Sequence, residues 1–423
     1  MRAEIMATGE EIRCGALVDS NSAYIADQLE QNGFEVLRHT SVGDDLSMLV
    51  ATLREISQRV DVAVVTGGLG PTTDDRSAAA AALAAGVETV FDQQAFENVV
   101  RFFEAFKRPM TPSNRKQAYL PAGSRVLANA VGTAPGFSLD IGGCRFFFLP
   151  GVPYEMKRML VEQVIPDLLT LLGAAAMHSR VKTITTFGLP ESQVGETVAG
   201  VEAAFPGLKL GLRASFPQIQ VKLYGRDSDG VRLQQHLDAA GRWVGQRLGN
   251  RVISENGDSM EAVVGRLLVE RGATLALAES CTGGLVANWL TNVAGSSRYF
   301  LFGGVTYANR AKMDLLDVSD QTLQEYGAVH EETAREMAEG VRRLAGSDYG
   351  LSTSGIAGPD GGSTDKPVGT VCIGFAGPEG AFGRRLYFPF GKRLMNKRIF
   401  AMAALDTLRK ALLKKAARPK VDD

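Results

Sequence analysis

Three apolar runs in this 423-residue chain end alike, in a hydroxyl and a group of glycines: DVAVVTGGLG from residue 61, TLALAESCTGG from 274 and YGLSTSGIAG from 349. A short unbroken apolar run bounded by turn residues reads as a strand buried on both faces. Glycine at its end lets the backbone turn, or approach a ligand, where a side chain would block it. Helical patterns with polar caps alternate with these runs, which predicts an α/β fold: parallel sheets covered on both faces, with ligands outside the carboxyl ends of strands.

The alternation divides the chain. Residues 2–8 read as a strand, SNSAYIADQLEQNG (20–33) as a helix with a serine or asparagine cap and a glycine stop, and 46–58 as a second helix. DVAVVT then leads through GGLGPTTDD into an alanine-rich helix ending near Ala85, and RFFFLPGVPYEMKRMLVEQVIPDLL gives strand, turn and helix. After a junction at LLGAAAMHS, residues 180–253 read βαββαβ and carry no cluster of reactive groups, as expected of a connecting or dimerising module. A third α/β unit follows, with two helices expected between FLFGGVTYAN and YGLSTSGIAG, and a tail, LRKALLKKAARPKVDD, that reads as a solvated helix end. The expected domains are 1–175, 176–254 and 255–423.

Composition excludes several classes. Lysine and arginine number 46 against 47 acidic residues, a net charge of −1, so nothing drives the chain toward nucleic acid or an anionic membrane. Cys14, Cys144, Cys281 and Cys372 lack metal-ligand spacing and disulfide density. No apolar run approaches the roughly 20 residues of a membrane helix, and MRAEIMATGEE lacks a signal-peptide pattern. A cytoplasmic protein without direct nucleic-acid or membrane contact is expected.

In the third unit, serine needs a base before it can act as a nucleophile. His330, in GAVHEE, reads as a helix cap, which argues against a Ser-His-Asp triad. Lys312 is the better base, since a desolvated lysine loses its proton more easily; spacing alone favours reading it as a surface residue of the RAKMDLLD helix. Cys281 lacks a group that would lower its pKa and reads as an inert buried thiol. Gly283 and Gly284 leave backbone amides for a phosphate or an oxyanion. The strand end VTYANRAK offers Tyr307, Asn309 and Lys312, and AGPDGGSTDKPVG (357–369) is glycine-rich enough for close approach to a ligand.

AESCTGG, FGGVTYANRAK, SGIAGPDGGSTDKPVGTV and the basic run GKRLMNKR occur in the order of one known domain. Residues 255–415 resemble the C-terminal domain of the CinA (competence/damage-inducible protein A) family, a nicotinamide mononucleotide (NMN) deamidase. The resemblance implies hydrolysis of the carboxamide to carboxylate and ammonia without metal or redox cofactor. It makes Ser280 the nucleophile, Lys312 its base, and Tyr307 and Ser354 supporting groups, Ser354 standing where the family usually has threonine. It implies substrate contacts at Thr282, Gly283, Gly284, Asn309, Gly355, Gly358 and Gly361, with the phosphate on the glycine-rich loop or near Arg393 or Arg398. His330 stands where GAVS is usual and reads as a cap variation.

In the first unit, TGGLGPTTDD (66–75) follows a buried strand and opens a helix, so Thr66, Gly67, Gly68, Gly70 and Thr72 can cradle a phosphate while Asp74 and Asp75 face a divalent cation. The same aspartates would also favour the helix dipole. Glu10, Glu11, Asp44 and Asp45 stand at other strand ends. Through TGEEIRCGALVDSNSAYIA, SVGDD, TGGLGPTTDD, NRKQAYLP, GTAPGF and LPGVPYEMK, residues 1–170 resemble the N-terminal CinA domain, similar in fold to molybdopterin-binding domains. That resemblance implies an ADP-ribose pyrophosphatase using a divalent metal (Mg or Co) and potassium, and a homodimer. The rival readings are an accessory protein of competence or recombination acting through protein partners, and a first domain that binds a molybdopterin-like ligand without turnover.

Overall fold

Period-two alternation sorts the strands of the first sheet onto two cores. In the computed structural model, which describes residues 1–173 and 177–414, β1 (Arg2–Thr8), β2 (Glu35–Val42) and β3 (Val62–Thr66) are parallel neighbours. Ala3, Ile5, Val62 and Val64 point to one face, where Ile25 and Leu29 of helix Ser20–Gln31 and Met156 and Met159 of helix Pro153–Met159 cover them. Met6, Ala63 and Val65 point to the other, against Leu49, Leu53 and Ile56 of helix Leu46–Ser57 and Ala80 and Ala81 of helix Ser77–Ala85. Beyond a two-stranded pair, β4 (Thr89–Phe91) with β5 (Tyr119–Pro121), the chain adds β6 (Arg125–Leu127), β7 (Gly136–Ile141) and β8 (Cys144–Leu149). The sheet order is β2-β1-β3-β8-β7-β6.

Two expectations change here. The sheet is mixed: β8 pairs parallel with β3, but β7 pairs antiparallel with both β8 and β6, because connections too short for a crossover force reversal. The cap of helix Ser20–Gln31 is Asp19, whose carboxylate accepts from the Ser22 amide at 2.9 Å; the serine and asparagine beside it lie inside the first turn.

A four-stranded sheet follows, order β10-β11-β9-β12, from β9 (His178–Phe187), β10 (Leu208–Ser215), β11 (Gln218–Asp227) and β12 (Val252–Ser254), with helix Gly230–Leu248 between the last two. The expected helix after β9 is broken in two at Gly200, whose φ of 86° is left-handed. By packing, the chain forms two compact units: residues 1–181 with 224–236, and residues 182–223 with the chain from 237 onward. The expected boundary at 175 and the tail beyond Lys414 lie outside the described residues.

The last sheet, order β14-β13-β15-β16-β17, repeats the two-core scheme. β13 (Leu275–Glu279), β14 (Phe300–Val305) and β15 (Tyr349–Gly355) are parallel, and β16 (Thr370–Gly377) and β17 (Gly380–Tyr387) are antiparallel additions. Leu275, Leu277 and Leu351 meet helices Met260–Arg271 and Arg393–Leu413 on one face; Ala276 and Ala278 meet Met337 and Val341 of helix Glu331–Ala345 on the other. Three helices, not two, separate β14 from β15, because Asp317 takes a left-handed φ of 56° and ends helix Asn309–Leu316 before Asp320–Tyr326 begins. Among the described residues no helix is long and apolar enough to cross a membrane.

The long last helix is held by a buried ion pair. Arg409 bonds Asp406 Oδ1 at 2.7 Å and donates to the carbonyls of Asn250 and Val252, both at 2.8 Å. Removing Arg409 leaves two carbonyls without a donor and Asp406 held by Lys410 alone, 2.6 Å from Oδ2, so Arg409→Ala is expected to cost about 2–4 kcal/mol. Both tryptophans, Trp243 and Trp289, belong to this second unit, so their fluorescence during urea unfolding reads the loss directly.

Candidate functional site

Three parallel strand ends converge in the second unit. Ser280 follows β13 and donates its amide to the Thr353 carbonyl of β15 at 2.9 Å, while the Thr306 amide, just past β14, reaches back to the Glu279 carbonyl at 2.9 Å. Glu279 continues the inward face of β13; its buried carboxylate accepts from the amides of Val286 and Ala287, 3.2 and 2.8 Å away, and so anchors the start of helix Leu285–Thr291. Between them Gly283 and Gly284 take φ of 60° and 87°, the left-handed turn that the sequence CTGG needs. The amides of Thr282 and Gly284 find no acceptor among the described residues, whereas that of Gly283 is used by the Ser280 carbonyl.

Lys312 is wholly buried, which removes the surface reading of its helix. Its Nζ lies 3.3 Å from Ser280 Oγ and donates to the carbonyls of Thr306 and Tyr307 at 2.8 and 3.0 Å. Burial holds its pKa below the ordinary lysine value. The cage suits both protonation states: an ammonium donates to all three oxygens, whereas a neutral amine donates to the two carbonyls and leaves its lone pair for the serine hydroxyl. Cys281 is buried next door, and burial pushes its thiol up to about 12, so it stays protonated and inert.

The other expected residues divide. Arg393 clamps the glycine-rich loop to the site, donating to the Gly358 carbonyl at 2.8 Å and to Tyr307 Oη at 3.2 Å. Tyr307 is 61% exposed. Gly355 is a close approach, since a Cβ there would sit 2.6 Å from the Thr370 carbonyl and 3.2 Å from Cys281 Sγ. Gly358 and Gly361 take left-handed φ of 80° and 88° in the same loop. Thr282 Oγ1 bonds Thr353 Oγ1 at 2.7 Å, closing the turn. Asn309 is exposed at the start of helix Asn309–Leu316.

Two residues sit elsewhere. The Ser354 hydroxyl donates to the Ala328 carbonyl at 2.6 Å, a bond that ties β15 to the loop before helix Glu331–Ala345. Arg398 lines a separate hollow with Phe216, Trp289 and Met402. His330 does cap its helix, with Nδ1 accepting from the Glu332 amide at 3.1 Å. Thr353, Glu279 and Asn396 were not foreseen; buried Asn396 supports the loop by donating to the Ala357 and Phe390 carbonyls at 3.1 and 2.7 Å.

The first unit holds a cavity of about 490 Å³ at the carboxyl ends of β1, β3 and β8. Its lining includes Thr66, Gly67, Gly68, Gly70, Asp74 and Asp75. Gly67 and Gly68 are required there: a Cβ would lie 2.5 Å from the Thr8 carbonyl and 2.3 Å from Ser77 Oγ. Asp75 is engaged by the Thr72 amide at 2.9 Å and by its hydroxyl, so Thr72 and Asp75 build the turn, and the same Thr72 side chain holds the carboxyl of Asp74 below its ordinary pKa. Burial, with Glu11, Asp74 and Glu10 close by, raises the pKa of Asp44 in the same wall. Among the described residues no three carboxylates, histidines or cysteines converge as a ready ligand set.

Fold and site define a two-part α/β protein: a cavity at strand ends in the first part, and a buried serine-lysine pair in the second. Residues 4–170 match the family model of the probable molybdopterin binding domain, and residues 257–412 that of the CinA C-terminal domain. A CinA-like protein of Desulfosudis oleivorans is 53% identical over 413 residues, spanning 98% of this chain and 100% of that one. A CinA-like protein of Desulforapulum autotrophicum is 50% identical over 417 residues, 98% and 99% of the two chains. The crystal structure of the competence damage-inducible protein A from Klebsiella pneumoniae is 34% identical, covers 37% of this chain and 97% of that one, and has a TM-score of 0.36. The chain belongs to the CinA-like protein family.

Proposed function

We propose that the second unit hydrolyses the carboxamide of NMN, giving nicotinic acid mononucleotide and ammonia. The observation that carries this reading is the uncharged cage around Lys312, with Nζ 3.3 Å from Ser280 Oγ. Lys312 takes the hydroxyl proton as Ser280 Oγ adds to the amide carbon. The turn amides of Thr282 and Gly284, which have no acceptor among the described residues, would serve as donors to the oxyanion. When the C–N bond breaks, Lys312 returns the proton to the leaving nitrogen, which departs as ammonia. Water, deprotonated by the same amine, then cleaves the acyl ester and frees Ser280. Every proton is handled by residues of this chain, so the reaction calls for no cofactor. Ammonia release from NMN by the full-length protein tests the reading; absence of turnover would leave the accessory-protein interpretation in its place.

For the first unit we infer a second activity, hydrolysis of ADP-ribose between its phosphates. The cavity joins glycine amides, suited to phosphate oxygens, with the acidic wall of Asp44, Glu11 and Asp74. This donor set fits a hard divalent cation of the magnesium type, which is held by one or two carboxylates with water and substrate phosphates completing the shell. Asp44 and Asp74 would hold it, and the cation would supply charge neutralisation on the diphosphate and activation of water. Cleavage of ADP-ribose is expected to fall to background when EDTA is added and to return with excess Mg or Co. Metal-independent cleavage would reject the cation's role. The proposed setting for both activities is a cytoplasmic homodimer acting on small nucleotides.

A further inference from the structure

The turn that carries Ser280 is tied down unevenly. Its first residues are bound to β15: the Ser280 amide donates to the Thr353 carbonyl at 2.9 Å, and Thr282 Oγ1 bonds Thr353 Oγ1 at 2.7 Å. Its last residues, Gly283 and Gly284, have no side chains with which to bind anything. Gly284 stands at the cap position of helix Leu285–Thr291 and cannot offer the side-chain acceptor that a serine, threonine or aspartate would supply there. Glu279, the residue before the nucleophile, supplies it instead. One carboxylate oxygen accepts from the Val286 amide at 3.2 Å and the other from the Ala287 amide at 2.8 Å. The carbonyl of the same residue takes the Thr306 amide at 2.9 Å, so Glu279 links the turn, the helix after it and the strand end that cages Lys312.

The first-turn amides of that helix are therefore all engaged: Leu285 with the Thr282 carbonyl at 3.4 Å, and the next two with Glu279. Donors remain only inside the turn. Val286 and Leu290 also pack the helix on the core, but apolar contact has no direction. Hydrogen bonds do, and the two to Glu279 set the rotation of the helix start, and with it the direction of the Thr282 and Gly284 amides. The Glu279 carboxylate is only 2% exposed and forms no ion pair among the described residues. Burying it costs stability; what it contributes is position.

We propose that Glu279 is a positioning residue of the amide hydrolase, whose carboxylate holds the turn 282–284 so that the Thr282 and Gly284 amides meet the oxyanion formed when Ser280 adds to the amide carbon. The proposal rests on the reading of this site as an NMN amide hydrolase. Grip and charge make opposite predictions here, because a carboxylate close to a developing oxyanion repels it.

Glu279→Gln in the full-length protein separates them. Glutamine keeps the length and one acceptor, but its amide nitrogen meets a backbone N–H and should displace the helix start. The kcat for ammonia release from NMN is expected to fall on the order of tenfold to a hundredfold, the scale for a misplacement of about 1 Å, with KM little changed. Glu279→Asp keeps the charge but shortens the reach, and should fall as far. The thioamide analogue of NMN shows where the loss arises. Sulfur accepts hydrogen bonds more weakly than oxygen, so the preference for the oxygen substrate reports the oxyanion donors and is expected to shrink in both variants. A smaller folded fraction would leave that ratio unmoved. Unchanged or raised kcat in Glu279→Gln, wild-type rates in Glu279→Asp, or a loss with an unchanged oxygen-to-sulfur ratio overturns the positioning role. Wild type that releases no ammonia from NMN removes the hydrolase reading and the role together, whereas an active wild type beside an unaffected Glu279→Gln removes the role alone.

Discussion

Ser280→Ala is expected to abolish ammonia release from NMN, lowering kcat by about 10⁴- to 10⁶-fold, the scale seen when a nucleophile is removed from a concerted catalytic unit. The fold should survive the change. Ser280 is held through its backbone, by its amide to Thr353 and its carbonyl to Gly283, and neither bond uses the hydroxyl. Lys312 keeps both carbonyl partners when Oγ is gone. Stability should therefore move by less than about 1 kcal/mol, and NMN should still bind. Ammonia release by rapid-mix assay, alongside a melting curve, checks both halves. A variant that retained more than a tenth of the wild-type rate would show that Lys312 activates water directly and that no acyl-enzyme forms.

The reach of the sequence stopped at different places for different residues. β3 and β13 were legible because they are buried on both faces, so their apolar runs are unbroken. The mixed sheets were not, since a strand's own pattern does not say which way its neighbour runs. The burial of Lys312 was hidden for a similar reason. Its helix looks polar, and its cage is made of backbone carbonyls five and six residues earlier, which carry no side-chain signature. Its meeting with Ser280 across 32 residues depends on β14 lying beside β13, a fact of topology. Arg393 and Arg398, by contrast, could have been separated beforehand. Five residues on a helix turn a side chain through roughly 140°, and the structure accordingly places one on the glycine-rich loop and the other in a different hollow.

Lys312→Met is expected to lower kcat/KM by about 10²- to 10⁴-fold, the usual contribution of a positioned general base, and the pH dependence identifies how. Burial holds the wild-type lysine below its ordinary pKa. Only the neutral amine can accept the serine proton, so wild-type kcat/KM should rise with pH and level off at a midpoint below that of an ordinary lysine. Lys312→Met should lose the rise altogether. Lys312→Arg is the sharper control, because guanidinium stays charged throughout: if the side chain served as a fixed positive charge, arginine would restore activity, and if it serves as a base, arginine will be as inactive as methionine. Stability supplies an independent reading of the same shift. With the folded pKa lowered, the unfolded chain binds more protons between the folded and unfolded values, so wild-type stability relative to Lys312→Met should rise with pH through that window and be lowest beneath it. A denaturation series that moved the other way would mean the buried lysine is held as an ammonium, and the proton transfer from Ser280 would need another acceptor.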